Sequence, residues 1–450
     1  MISVVDQINK MLIDLFPINR SLTGRGNRQT LEYLKTNIGA GEIKKINSGA
    51  TIFDWVVPPE WTVKNAYIKN CYGNKIIDFS KNNLHLVSYS IPFDGILSES
   101  ELLKKIHTIP AKPQWIPYRT SYYNRDWGFC CEHSLISGGE FNGPFEVVID
   151  SDLNYNGELN WLEIYKRGES DEEILISTYC CHPSLANDNL SGCIAATLLF
   201  NKIQNIETKY SYRLVIVPET IGSIAFLAQA DRKKIVGGMV VTCVGGPGKI
   251  SIKEGFDSSH WINLAAHHAL NDATNGDYLK YPFVPDGSDE RQYSSPSIRI
   301  VTPSIHKSKY YEYDEYHTSA DNLGFISAES IETALNVYIK WVENIESYCN
   351  PVRKMGYCEY QLGKRGMFPQ IGGTLNQPVH HENCDGYQNR GFDLDQSTKI
   401  TGNHLDAFNW CMHLADGTNS NFDISLKSGI SLKIINEALG IFSKNGLIIK

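Results

Sequence analysis

The chain has 450 residues, of which 42% are hydrophobic and 20% charged, and its formal net charge is −8 at pH 7. At roughly 100–200 residues per domain this length allows two to four domains with real cores and excludes a disordered tail. The acidic balance argues against wholesale binding to nucleic acid or to an anionic membrane, and no stretch approaches the ~18 uninterrupted apolar residues of a membrane span. Eleven cysteines, with adjacent pairs at Cys130–Cys131 and Cys180–Cys181 and no CxxC spacing, read as reduced thiols of a cytoplasmic protein. The opening MISVVDQINKMLIDLF has no basic region ahead of an apolar block, so it does not read as a signal peptide.

In chain order, Val4, Val5, Ile8, Leu12 and Leu15 recur at helical spacing, and helices are expected to about residue 45. Residues 49–149 are rich in aromatics, prolines and glycines. Their hairpin signal AYIKNCYGNKIIDF predicts an antiparallel, β-rich insert domain. Residues 150–350 then alternate. EEILISTYC, YRLVIVPE, GGMVVTCV and SIRIVTPS read as strands. LSGCIAATLLFNKIQNI, IGSIAFLAQADRKK, SSHWINLAAHHALNDA and AESIETALNVYIKWVENIESY read as helices. Short apolar strands alternating with helices predict an α/β domain whose mostly parallel sheet is covered on both faces, built from residues 1–48 and 150–350. GKRGMFPQIGG marks a linker within 351–378, and three helical patterns follow it within 379–450.

Ligands of open parallel sheets bind beyond the carboxyl ends of the strands. His182 follows the first strand of the alternating region, and Asp188 opens the next helix. Glu219 follows the second strand, Asp286 and Asp289 precede the last, and His317 comes soon after it. Singly, each has a plain structural explanation, Asp188 and Ser191 as helix caps for example. Two histidines and two carboxylates converging on one sheet edge are harder to explain as caps. Imidazole nitrogen with carboxylate oxygen is a set that suits zinc, and a carboxylate off the metal could take a proton from water.

NDNLSG, ETIGS, GSDERQY and YHTSADN, in this order and spacing, resemble the zinc aminopeptidase family typified by bacterial leucyl aminopeptidases. The resemblance spans residues 150–350. It implies His182, Asp188 and His317 as metal ligands, Glu219 as general base and Asp289 as either a support behind the site or a substrate contact. The chain departs from the family at Ser184, Thr220 and Cys243 or Val244, where further metal-binding carboxylates are expected. The set that remains implies one zinc per chain. The whole chain resembles more closely a bacterial subgroup with a β-rich insert and a C-terminal winged helix-turn-helix domain, here 379–450.

In the insert, PYRTSYYNRDWGFC suggests a loop that roofs the cleft, with Arg119 and Tyr122 holding substrate. The last hundred residues carry ten Lys or Arg against nine Asp or Glu, a net +1. Nucleic acid is therefore weakly supported as a partner and a protein contact is favoured. The expected function is a zinc-dependent, aminopeptidase-type exopeptidase acting on a peptide or small amide, without a membrane partner and with self-association open. Two alternatives stand beside it. One is a single-zinc amide hydrolase or acyltransferase of the glutaminyl cyclase kind, and the other a non-enzymatic sensor of metal or ligand.

Overall fold

The segment EILISTY has no polar face to offer water, and it forms the strand Glu173–Tyr179, buried along its whole length. Such a strand must be covered on both sides. In this computed structural model, which describes residues 3–139, 141–365, 367, 392–394, 398–400 and 402–449, it lies inside an eight-stranded sheet. Glu173–Tyr179 runs parallel to both Ser211–Val217 and Ile235–Val241, and Ile235–Val241 runs parallel to Ser304–His306. Antiparallel pairs complete the sheet on either side: Glu42–Asn47 with Glu158–Lys166 and then Ser211–Val217, and Ser251–Lys253 with Ser304–His306. Leu279–Tyr281 closes the far edge, parallel to Ser251–Lys253. Arg213 crosslinks three neighbouring strands, holding Glu173 through two bonds of 2.6 and 2.8 Å and reaching Glu163 on the other side. The helix Gly192–Gln204 packs across Glu173–Tyr179, Ser211–Val217 and Ile235–Val241. The expected α/β architecture is present, as a mixed sheet whose centre is parallel.

Two expectations need correction. SIRIVTPS does not form a strand over its length; the ladder begins at Ser304 and runs to His306. The preceding residues lie along Ile235–Val241 and accept from it, Gly238 N–H to Val301 O and Val240 N–H to Pro303 O, both 3.0 Å. Pro303 has no N–H to return. The N-terminal helices are Val4–Leu15 and Arg25–Ile38. They stop at Gly39, whose φ of 76° suits a left-handed cap, and Glu42–Asn47 is an edge strand rather than helix.

Residues 49–149 carry a second, four-stranded antiparallel sheet in the order Lys75–Asp78, Glu60–Lys69, Phe145–Asn154, Phe93–Leu97. The hairpin pairs Tyr67 with Asp78 and Ile68 with Ile77. Trp61, Ile68, Phe145 and Val147 of this sheet share one apolar cluster with Leu175, Val215 and Val240 of the large sheet. Both sheets belong to one unit, Met1–Trp341.

The second unit, Val342–Lys450, has the helices Gly402–Leu414, Asn421–Ser428 and Leu432–Lys444 at the three expected helical patterns. Phe408, Ile424, Ile435 and Phe442 form their core. Val352–Arg353 pairs with Ile448–Ile449, and Phe392–Leu394 with Thr398–Ile400. Most of the expected linker beyond Arg365, and much of 379–401, lie outside the described residues.

His268, on the helix Trp261–Thr274, is buried, and burial with His267 beside it holds its imidazole down at about 4. In the unfolded chain an imidazole titrates near 6.5. Below that pH the unfolded state takes a proton the folded state refuses, so this contribution is complete above pH 6.5 and lost as pH falls toward 4. The ceiling is about 3 kcal/mol. His268→Gln should narrow the gap between urea midpoints at pH 7.5 and pH 5; an unchanged gap would assign the acid limb to other groups.

Candidate metal centre

Three parallel strands deliver polar residues to one edge. His182 lies three residues past Tyr179, Glu219 two past Val217, and Cys243 two past Val241. His317 reaches the same place from the loop that follows Ser304–His306. Ser184, Thr220, Cys243 and His317 all have φ between 44° and 65°. A left-handed β-branched residue such as Thr220 is a real outlier. Strained backbone of this kind persists only where its surroundings over-determine it.

The surroundings do so. Asp321 accepts from three consecutive amides, those of Ala186 (3.1 Å), Asn187 (2.6 Å) and Asp188 (3.0 Å), and from the Tyr313 hydroxyl at 3.1 Å. Burial pushes its carboxyl up to about 7. Asn187 Oδ1 accepts from the amides of Gly245 and Gly246, Asn189 Oδ1 from that of Cys243, and Ser191 Oγ from that of Val244. The polar residues of NDNLSG thus stitch their loop to the end of Ile235–Val241, leaving Asp188 aside. The Asp188–Asn189 peptide bond is cis.

Asp188 is buried, and its Oδ1 accepts from the Tyr179 hydroxyl at 2.6 Å. Its Oδ2 lies 2.9 Å from His317 Nε2 and 3.9 Å from His182 Nε2. The 2.9 Å pair is not aligned as a hydrogen bond, and both atoms are buried without one. Burial holds the His182 imidazole down at about 4, in its neutral form. Although burial opposes it, His182 and His317 hold the Asp188 carboxyl below its ordinary range. Tyr118 stands against both histidine rings, at 5.3 and 5.2 Å, and Tyr316 stacks on His317 at 3.9 Å. Arg20, fully enclosed, donates to the His182 carbonyl at 3.0 Å and fixes the turn from behind.

Glu219 Oε2 is 3.9 Å from His182 Nε2, with the side chain 21% exposed. Burial, then the nearby Asp289 and Asp188, raises its carboxyl well above the usual range. Asp289, expected either as a support behind the site or at the substrate, lies fully buried behind this turn. It accepts from Thr220 N–H (2.7 Å) and Ser223 Oγ (2.9 Å), and burial pushes it up to about 6. Its contact is with the backbone that carries Glu219.

Among the described residues, two groups could hold a metal ion: His182 with Asp188 and His317, and His182 with Cys181 and Glu219. The first has the two unpartnered atoms facing one another. In the second, Cys181 Sγ already accepts the Glu219 N–H at 3.3 Å, and burial pushes its thiol well up, away from the thiolate a metal needs. The first group is the better fit to zinc, through two imidazoles and one carboxylate.

The insert reaches the site, but not through Arg119. The extended segment 116–118 is bonded to the His317 loop, with Tyr118 N–H donating to His317 O and Ser319 N–H to Ile116 O, each at 2.8 Å. Side chains alternate along an extended chain. With Tyr118 facing the histidines, Arg119 is exposed on the other side, where His107 and Cys130 feel its charge. Tyr122 does reach the rim, close enough to Tyr118, Cys181 and Glu219 to feel all three. Sequence reasoning missed Tyr118, Tyr179, Asp321 and Arg20. Asp321 lies inside YHTSADN, four residues past His317, so a signal for it was present.

Replacing Asp321 by alanine leaves the buried amides of Asn187 and Asp188 without an acceptor, while Ala186 N–H keeps the main-chain carbonyl of residue 321 at 3.0 Å, at about 1–3 kcal/mol for each unsatisfied group. Guanidinium denaturation should show a loss of several kcal/mol for Asp321→Ala. A loss below about 0.5 kcal/mol, the usual range of an uninvolved surface change, would show that the carboxylate does not hold the loop.

Residues 9–348 match a family model described as a domain of unknown function, DUF4910. A Clostridium acetobutylicum protein, provisionally named a polysaccharide biosynthesis protein with aminopeptidase-like domain, is 39% identical over 434 residues, covering 96% of this chain and 93% of its own. The crystal structure of a provisionally assigned peptidase from the same organism superposes with a TM-score of 0.86 at 37% identity, over 98% and 96% of the two chains. The zinc aminopeptidase of Bacillus subtilis matches at a TM-score of 0.56 and 12% identity, over 76% of this chain and 94% of that one, a likeness of fold alone. The chain belongs to the DUF4910 family, and its fold is that of the zinc aminopeptidases.

Proposed function

We propose that the protein is a zinc-dependent hydrolase of the aminopeptidase type, cleaving an amide bond of a peptide or small acyl-amide. The observation that carries this reading is the buried pair Asp188 Oδ2 and His317 Nε2, 2.9 Å apart without a hydrogen bond, beside a neutral His182. Those three side chains would hold one zinc, which when bound supplies a Lewis acid for the scissile carbonyl and a lowered pKa for attacking water. A single ion is favoured because Ser184, Thr220 and Cys243 stand where further carboxylates would be needed for a second.

Glu219 is the general base. Its raised carboxyl can take the proton of the attacking water as the carbon–oxygen bond forms and return it to the leaving amine as the carbon–nitrogen bond breaks. Asp289 positions it through the Thr220 amide, while the rings of Tyr118 and Tyr316 wall the histidines against bulk water. The partly exposed Glu219 speaks against a pure sensor, which has no need of a carboxylate beside the ligand cluster. A second reading, cleavage of an acyl-amide attached to a sugar, is favoured by the name of the Clostridium relative, whose match covers 96% of this chain. For the C-terminal unit, three helices and two strand pairs support a winged helix-turn-helix making a protein contact. With reduced thiols, we place the protein in the cytoplasm.

Elemental analysis of metal-replete protein should give about one zinc per chain, and His182→Ala should lose most of it. Glu219→Gln should keep its zinc while kcat falls about 10²–10⁴-fold on any amide the native protein cleaves. Two zinc ions per chain, or loss of metal in Glu219→Gln, would overturn the ligand assignment. Undiminished turnover in Glu219→Gln would remove it as the base.

A further inference from the structure

Beside the proposed base lies a cation that the amide-cleaving chemistry does not use. Arg291 follows Asp289 on the short turn Glu290–Tyr293, and its Nη2 donates to Thr220 Oγ1 at 2.9 Å. Thr220 is the residue after Glu219, partly exposed like it, so this bond sets the guanidinium next to the base. Arg291 Nε is buried with no partner. The carboxylates that flank Arg291 in sequence are engaged elsewhere. Asp289 accepts from Thr220 and Ser223, and Glu290 from Lys253 and Tyr310 at 2.6 Å each. Among the described residues the one hydrogen bond of the guanidinium is thus to a neutral hydroxyl, and Glu219 and Asp289, which feel its charge, form no close ion pair with it. A partly buried cation so poorly matched is costly unless an anion completes it, and a guanidinium fork is shaped for a carboxylate.

The complementary observation concerns what the site lacks. An exopeptidase that recognises a free amino terminus needs a carboxylate to receive the ammonium. Among the described residues the acids gathered here are Asp188, Asp289 and Asp321, all buried and hydrogen-bonded, and Glu219, whereas Asp286 is exposed and lies 3.9 Å from Lys253. Glu219 is committed to moving a proton in the reading above.

We propose that Arg291 is the anion anchor of the cleft, receiving the carboxylate of a short substrate, a dipeptide or an N-acyl amino acid, so that its amide lies beside Glu219. This rests on the hydrolase reading and narrows it to substrates with a carboxylate near the scissile bond. Thr220, in place of a metal-binding carboxylate, orients the guanidinium; a glutamate there would instead neutralise it.

The test uses a panel of dipeptides and N-acetyl amino acids, each as the free acid and as the C-terminal amide. Native protein should favour the acids at least tenfold in kcat/KM. Arg291→Ala should lower kcat/KM for acids by about 10–100-fold, mainly through KM, and change that for amides less than threefold, with zinc content unchanged; Arg291→Lys should recover part of the loss. Calorimetric titration of the Glu219→Gln protein with an N-acetyl amino acid and with its amide reads the anchor without turnover. Cleavage with no preference between acid and amide, or an equal loss on both in Arg291→Ala, would overturn the anchor and leave the hydrolase reading standing. No turnover by native protein, with the acid still binding to Glu219→Gln more tightly than its amide, would overturn the hydrolase reading and leave the anchor.

Discussion

The site depends on one buried carboxylate that need not meet substrate. Asp321 gathers the amides of Ala186, Asn187 and Asp188 and so decides which way the Asp188 side chain faces. It sits in the same loop as His317. One interaction therefore brings a loop from the end of the sheet domain against the loop after Glu173–Tyr179, and sets two of the three candidate ligands within 3 Å. Such an arrangement needs donors in sequence and an acceptor out of water, where each bond is worth more and each missing bond costs more.

Around it the charges are arranged by environment rather than by pairing. Burial keeps His182 neutral and raises Glu219, while Asp188 stays ionised because two imidazoles and a tyrosine hydroxyl outweigh its desolvation. Neighbouring groups of similar chemistry are thereby pushed into different states, as acid–base and ligand roles require. Arg20 adds a fully enclosed cation whose bonds are to main-chain carbonyls, those of His182 and Leu15.

How much of this the sequence discloses follows from where each partner lies. His182, Asp188, Glu219 and His317 could be grouped because each stands just past an apolar run, and a parallel sheet brings such ends together. Asp321 stands inside a recognisable motif, but its role and that of Arg20 could not be read, because the main-chain groups they hold at 186–188 and at His182 lie more than a hundred residues away and leave no mark on side-chain pattern. Arg119 was chosen for its charge, and the alternation of an extended segment put Tyr118 at the site instead. Asp289 was chosen for its motif; its carboxylate holds the Thr220 amide, a role that looks the same as substrate contact in one dimension. The strands Ser251–Lys253 and Leu279–Tyr281 are three residues each, too short to show a period. The strand expected at SIRIVTPS failed at Pro303, where the need for an N–H outweighed β-branched content.

The backbone bonds between residues 116–118 of the insert and 317–319 have a mechanical meaning. The strip that borders the entrance and the strip that carries His317 are sewn together, so the entrance cannot widen there without pulling on a ligand of the proposed ion. Access and metal grip are thereby geared to one another. A change that shifts residues 116–118 therefore shifts the loop of His317 with them, whereas the hairpin Glu60–Lys69 with Lys75–Asp78 is not part of that seam.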